Sequence, residues 1–112
     1  MIETTILNYL ESNLTVPAYM EEPEDPPETY VLIEKMGSSE DNHIESATFI
    51  VQSYADSLYK AAALNEVVKN LMRASITQDA ISRCKLNSDY NFTDTKTKRY
   101  RYQAVFDLTY YD

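Results

Sequence analysis

Residues 44–55 read Ile-Glu-Ser-Ala-Thr-Phe-Ile-Val-Gln-Ser-Tyr-Ala, a run of β-branched and aromatic positions that suits a pleated surface. The pattern changes directly after Ala55. Asp56 and Ser57 can offer a side-chain oxygen to the free amides of a first helical turn, and Leu58, Ala61, Leu64, Asn65, Val68, Leu71 and Met72 then recur at spacings of three and four. This predicts a strand over 44–55 and a helix over 57–73 with one apolar face, interrupted only by the polar Asn65. Upstream, Tyr30, Val31, Leu32 and Ile33 are dense enough for a strand over 30–36 with both faces partly covered. The stretch 37–42, which holds the only glycine, is expected to be the turn between the two strands.

Elsewhere the signals differ in strength. Ile2, Ile6, Leu7, Tyr9, Leu10 and Leu14 recur at helical spacing, which predicts a short amphipathic helix over 1–13. All four prolines fall between Pro17 and Pro27. Each fixes φ and removes an amide donor, so this stretch can hold no more than a short edge strand over 16–20. Residues 21–28 read as an exposed acidic loop. Over 80–87 an alternation is present but weak, and one strand is expected there with its register open. The clearest alternation is the last: Tyr100, Tyr102, Ala104, Phe106, Leu108 and Tyr110 share one face of a strand over 99–111, opposite Arg99, Arg101, Gln103, Asp107 and Thr109. The order of elements predicts an α+β two-layer sandwich: a mainly antiparallel sheet of about four to five strands with two helices on one face. At 112 residues the chain is expected to be a single domain spanning 1–112, without repeats.

Composition narrows the class. Apolar residues make up 44% and charged residues 25%, a globular mixture. The lone Cys84 has no partner for an intramolecular disulfide and reads as a core or strand residue in a reducing compartment. No signal peptide or membrane span is expected, since the start lacks a basic segment and no run of apolar residues is long enough. The net charge of −8 is unevenly placed. Eight acidic residues and no Lys or Arg lie in residues 1–34, whereas residues 35–112 carry ten of each sign. So acidic a surface disfavours non-specific binding to nucleic acid backbones.

Candidate chemistry is sparse. A single glycine excludes a glycine-rich phosphate cradle. His43, the only histidine, lies beside Asp41 but lacks further ligands at metal-site spacing and a nucleophile to activate, so it reads as a turn residue. The acidic run Glu21, Glu22, Glu24, Asp25 and Glu28 contains three prolines and no glycine, unlike a calcium loop. It is a solvated loop or a partner-recognition arm. Lys96, Lys98, Arg99 and Arg101 are interleaved with Tyr100 and Tyr102, a pattern that can mark a nucleic-acid surface. The tyrosines, however, occupy alternate positions of an apolar face and read as core. Complementary patches fix register between subunits, so Glu21, Glu22, Glu24 and Asp25 of one copy are expected to face Lys96, Lys98, Arg99 and Arg101 of a neighbour. No catalytic residue, metal or cofactor is expected.

Several stretches carry a family resemblance. Val31-Leu32-Ile33-Glu34-Lys35-Met36-Gly37, Asp41-Asn42-His43-Ile44-Glu45-Ser46-Ala47-Thr48, Val51-Gln52-Ser53-Tyr54-Ala55-Asp56 and Tyr59-Lys60-Ala61-Ala62 are similar to the tail terminator, or tail completion, proteins of long non-contractile-tailed bacteriophages. Leu86-Asn87-Ser88-Asp89-Tyr90-Asn91-Phe92-Thr93-Asp94 and Arg99-Tyr100-Arg101-Tyr102-Gln103-Ala104-Val105-Phe106-Asp107-Leu108 resemble the end of the same family. The resemblance covers most of residues 31–108; the first helix matches only in kind, and the acidic loop is a departure. It implies a small non-catalytic α+β subunit that forms a hexameric homo-oligomeric ring at the head-proximal end of the tail, assembled in the host cytoplasm. Such a ring stops polymerisation of the tail tube protein and offers a surface to head completion proteins, while DNA passes through the lumen without specific binding. The alternatives are a head-tail connector or stopper subunit of the same virion, and a small nucleic-acid-binding regulatory domain using the basic stretch.

Overall fold

Residues 44–55 do form the central strand, and the elements around it fall in the expected order. The computed structural model describes residues 1–111. In chain order these are α1 (Ile2–Asn13), β1 (Ala18–Tyr19), β2 (Tyr30–Asp41), β3 (Ile44–Ala55), α2 (Leu58–Arg73), a single 3-10 segment (Ala74–Thr77), β4 (Ile81–Asn91) and β5 (Tyr100–Tyr110). The five strands make one sheet in the order β1-β2-β3-β5-β4. Only the two-residue contact of β1 with β2 is parallel. The fold is α+β, as the pattern predicts.

Period-2 alternation sorts the sheet into two faces. On one, Ala47, Phe49 and Val51 of β3 lie directly across from Leu108, Phe106 and Ala104 of β5. All six are buried together with Ile6 and Leu10 of α1 and Val68 and Met72 of α2. The helices start and dock for local reasons. Ser57 caps α2 by accepting the Lys60 amide on its Oγ at 3.2 Å, and the Tyr9 hydroxyl of α1 donates to the Leu71 carbonyl at 2.6 Å. Among the described residues no helix is long and apolar enough to cross a membrane.

Two expectations about strand ends are corrected. The turn between β2 and β3 is not spread over 37–42: β2 runs on to Asp41, which pairs with Ile44, and only Asn42 and His43 form the loop. Both have positive φ, 51° and 67°, as the type I′ turn of a two-residue hairpin requires, and asparagine and histidine adopt that conformation more readily than most residues. Gly37 instead follows a bulge at Met36, where the register shifts, and its φ is not positive. Likewise β4 continues past residue 87 to Asn91, with bulges between Ile81 and Arg83 and between Leu86 and Ser88. Each bulge shifts the parity of the residues that follow, and this weakens the alternation in the sequence.

Candidate interaction face

The other face of the sheet carries no core cluster, and its side chains are bonded to one another across the strands. Strand register sets Tyr30 across from Tyr54 and Tyr54 across from Arg101. The Tyr30 and Tyr54 rings stack with centroids 4.6 Å apart at 5°, and Tyr19 of β1 meets Tyr30 edge-on at 5.9 Å. The guanidinium of Arg99 lies 4.9 Å from the Tyr54 ring centre, and that of Arg101 lies 4.4 Å from the Phe92 ring centre. Cations over aromatic faces are attracted by the ring quadrupole.

Hydrogen bonds extend this cluster over four strands. The Glu22 carboxylate accepts from the Tyr30 hydroxyl at 2.7 Å and from Arg99 Nη2 at 2.8 Å, and Arg99 also donates to the Tyr30 hydroxyl. Arg101 donates through Nη1 to the Tyr54 hydroxyl at 2.7 Å and through Nε to the Phe92 carbonyl at 2.8 Å. Tyr54 in turn donates to Gln52 Oε1 at 2.9 Å, Gln52 Nε2 to Gln103 Oε1 at 3.0 Å, and Gln103 Nε2 to the Tyr90 hydroxyl at 2.5 Å. The turn before Arg99 is held locally, because the Asp94 carboxylate accepts the Lys96 amide at 3.0 Å.

The electrostatics follow from these contacts. The bond from Tyr30, and then that from Arg99, hold the Glu22 carboxyl below its ordinary value of 4.5. Burial, reinforced by the neighbouring carboxylate, pushes the Tyr30 phenol well above its ordinary range. A carboxyl with a lowered folded-state pKa stabilises the fold above its ordinary range, and that stability disappears as pH falls through the folded value. Acidification from neutral through the folded value, below the ordinary carboxyl range, is therefore expected to detach the loop from β2 and reduce the tyrosine near-UV circular dichroism signal. Glu22→Gln should show the reduced signal already at neutral pH. A signal unchanged in both experiments would contradict the contact.

Of the residues singled out from the sequence, the structure brings together Glu22, Arg99 and Arg101. Within the chain Glu22 meets its own Arg99 and the Tyr30 hydroxyl. Two of the four cations that would track a phosphate backbone are thus already engaged. Glu21, Glu24, Asp25, Lys96 and Lys98 stand exposed. Lys98, with positive φ of 55°, lines a cleft of about 290 Å3 with Pro26, Pro27 and Arg99. Sequence reasoning missed Tyr30, Gln52, Tyr54, Tyr90 and Gln103. The available signal was Gln52 and Tyr54, which alternate with the apolar Val51 and Phe49 of β3 and so belong to its opposite face. Among the described residues no three His, Cys, Asp or Glu side chains converge as a metal site needs. No family model and no curated protein matches the chain.

Proposed function

We propose that this protein works by assembly and transforms no molecule: it is a tail terminator, a ring subunit that caps the tail tube of a long-tailed bacteriophage and presents an attachment surface for the head. The observation that carries this reading is the bonded arginine, tyrosine and glutamine face. Side chains already fixed by one another lose little further freedom on docking, and such pre-organisation favours a recognition surface. The resemblance over most of residues 31–108 supplies the setting. Physically, termination asks only for a ring with one face complementary to the tube end and another that rejects further tube subunits.

Electron microscopy of the tube protein from the same genome, polymerised with and without this chain, tests the reading. Tubes are expected to stop growing and to carry a ring at one end. Unchanged tube lengths and bare ends reject it. Binding to the portal-side protein instead of the tube would assign the chain to the connector or stopper position.

A further inference from the structure

Among the described residues the two outer edges of the sheet are free of a further strand over most of their length, and they carry opposite charge. β1 covers β2 only at Val31 and Leu32, which leaves residues 33–41 without a strand on that side. β4 closes the other side of the sheet. Beyond its bulge β2 runs regularly over residues 37–41, and β4 runs regularly over residues 83–86 between its two bulges. The β2 segment bears the exposed acids Glu40 and Asp41, while the β4 segment bears the exposed bases Arg83 and Lys85. Lys35, the one cation of β2, is turned to Glu3 of α1 at 3.3 Å and leaves that edge acidic.

A third observation falls at the same place. Gly37, the only glycine, does not use a positive φ, and a Cβ there would meet nothing within 4 Å. Nothing inside the chain requires glycine at this position. A glycine in a strand marks a bulge, as at the neighbouring Met36, or the close approach of another backbone, and an open edge leaves room for the second. Beside it lies a trough of about 360 Å3, lined by the small residues Gly37, Ser39, Ser46, Thr48 and Thr109 together with the carboxylate of Asp107, with room for a long basic side chain.

We infer that residues 37–41 on the β2 edge of one copy pair with residues 83–86 on the β4 edge of the next, Asp41 lying on the same face of the joined sheet as Arg83 and Lys85 and Glu40 adding its charge from the other face. The contact rests on the assembly reading above and names how copies of this chain join. Its direction follows from topology. The four long strands alternate in direction, so β2 and β4 run oppositely. Copies placed side by side then meet antiparallel, with opposite charges across the new ladder. Charged edges are also a means of keeping sheets apart, but charges that repel copies have the same sign on both edges, and here they differ. The contact is heterologous, since each copy uses a different edge on either side, and it closes only as a ring.

Sedimentation velocity on the chain alone tests this. The wild type is expected to self-associate as its concentration rises, and to do so less at about 500 mM than at about 50 mM salt. Arg83→Glu with Lys85→Glu makes both edges acidic, and Glu40→Lys with Asp41→Lys makes both basic. Each double variant alone should need about tenfold higher concentration, or more, to associate. Mixed in equal amounts, the two should assemble again, because every contact between unlike copies is then complementary. Gly37→Phe should weaken association while leaving the melting temperature unchanged. A wild type that stays monomeric to about 1 mM at low salt overturns the contact. So do double variants that associate like the wild type, or folded variants whose mixture stays monomeric. A chain that caps tubes yet stays monomeric alone would refute this contact and leave the assembly role standing; a chain that associates in this way without capping tubes would do the reverse.

Discussion

Replacing Asn65 with aspartate is expected to destabilise the fold by about 3–5 kcal/mol at neutral pH, although the two side chains have nearly the same shape. Asn65 sits on the sheet-facing side of α2 at 1% exposure, and its Nδ2 donates to Asp89 Oδ2 at 2.9 Å. That same oxygen takes Lys69 Nζ at 2.9 Å, and Lys69 also meets Glu66 at 2.8 Å. The bond from Lys69, assisted by that from Asn65, holds the Asp89 carboxyl below its ordinary range. An aspartate at position 65 would remove the donor and set a buried second carboxylate against the first. Its own pKa would rise in the folded chain, so the cost is largest at neutral pH and shrinks as pH falls toward the ordinary carboxyl range. Asn65→Leu is the contrast. It removes an amide whose Oδ1 is buried with no partner among the described residues and leaves the Lys69–Asp89 pair in place, so its cost should stay near about 1 kcal/mol. Urea unfolding of both variants at neutral and acid pH measures the difference. A pH-independent cost, or equal costs for the two substitutions, would mean that the amide is not bonded as described.

Phe106→Ala should be comparably severe, for the opposite reason. Phe106 and its cross-strand partner Phe49 are both at 0% exposure, in the middle of the layer where both helices meet the sheet. Truncation there removes apolar contact and leaves a void, a loss of about 3–5 kcal/mol. A domain of this kind is stable by about 5–15 kcal/mol in total. The variant is therefore expected to melt far below the wild type and to populate unfolded chain near physiological temperature, as calorimetry or denaturant titration would show. Val105→Ala, one residue away on the half-buried opposite face, should cost no more than about 1 kcal/mol. If the two substitutions proved equally mild, the helices would not be packed on that face.

The sequence was legible where one period held without interruption. The threefold and fourfold spacing from Leu58 to Met72 placed α2, and the alternation from Tyr100 to Tyr110 placed β5 and its core face, because each stretch buries a single stripe against one neighbour. It misled where the local geometry depends on residues outside the usual punctuation. Gly37 reads as a turn, yet the reversal is made by Asn42 and His43, which tolerate left-handed backbone, while the glycine stays extended. The bulges in β4 broke a period that the eye needs intact. The bonded face was only half legible: acid and base were visible as complementary runs, but partnership within one chain is decided by which strands neighbour one another. That is a long-range property, set by the β2-β3-β5 order, and no local window of residues contains it.

The hydrogen bonds that cross the sheet from Arg101 through Tyr54, Gln52 and Gln103 to Tyr90 all donate in the same sense. Successive bonds of this kind polarise one another, and the relay bends back on itself: Arg101, where it starts, lies over the Phe92 ring, and that ring meets the ring of Tyr90, where it ends. The terminus is a phenol that has accepted a bond and still holds its own hydrogen, at a residue 42% exposed. A visitor settling at that corner meets a polarised donor and is best answered by a carbonyl or carboxylate oxygen. The Arg101 guanidinium stands close by, over the neighbouring Phe92 ring. Phenol hydrogen and guanidinium thus gather at one place on the sheet, and whatever settles there is best matched by bringing more than one acceptor.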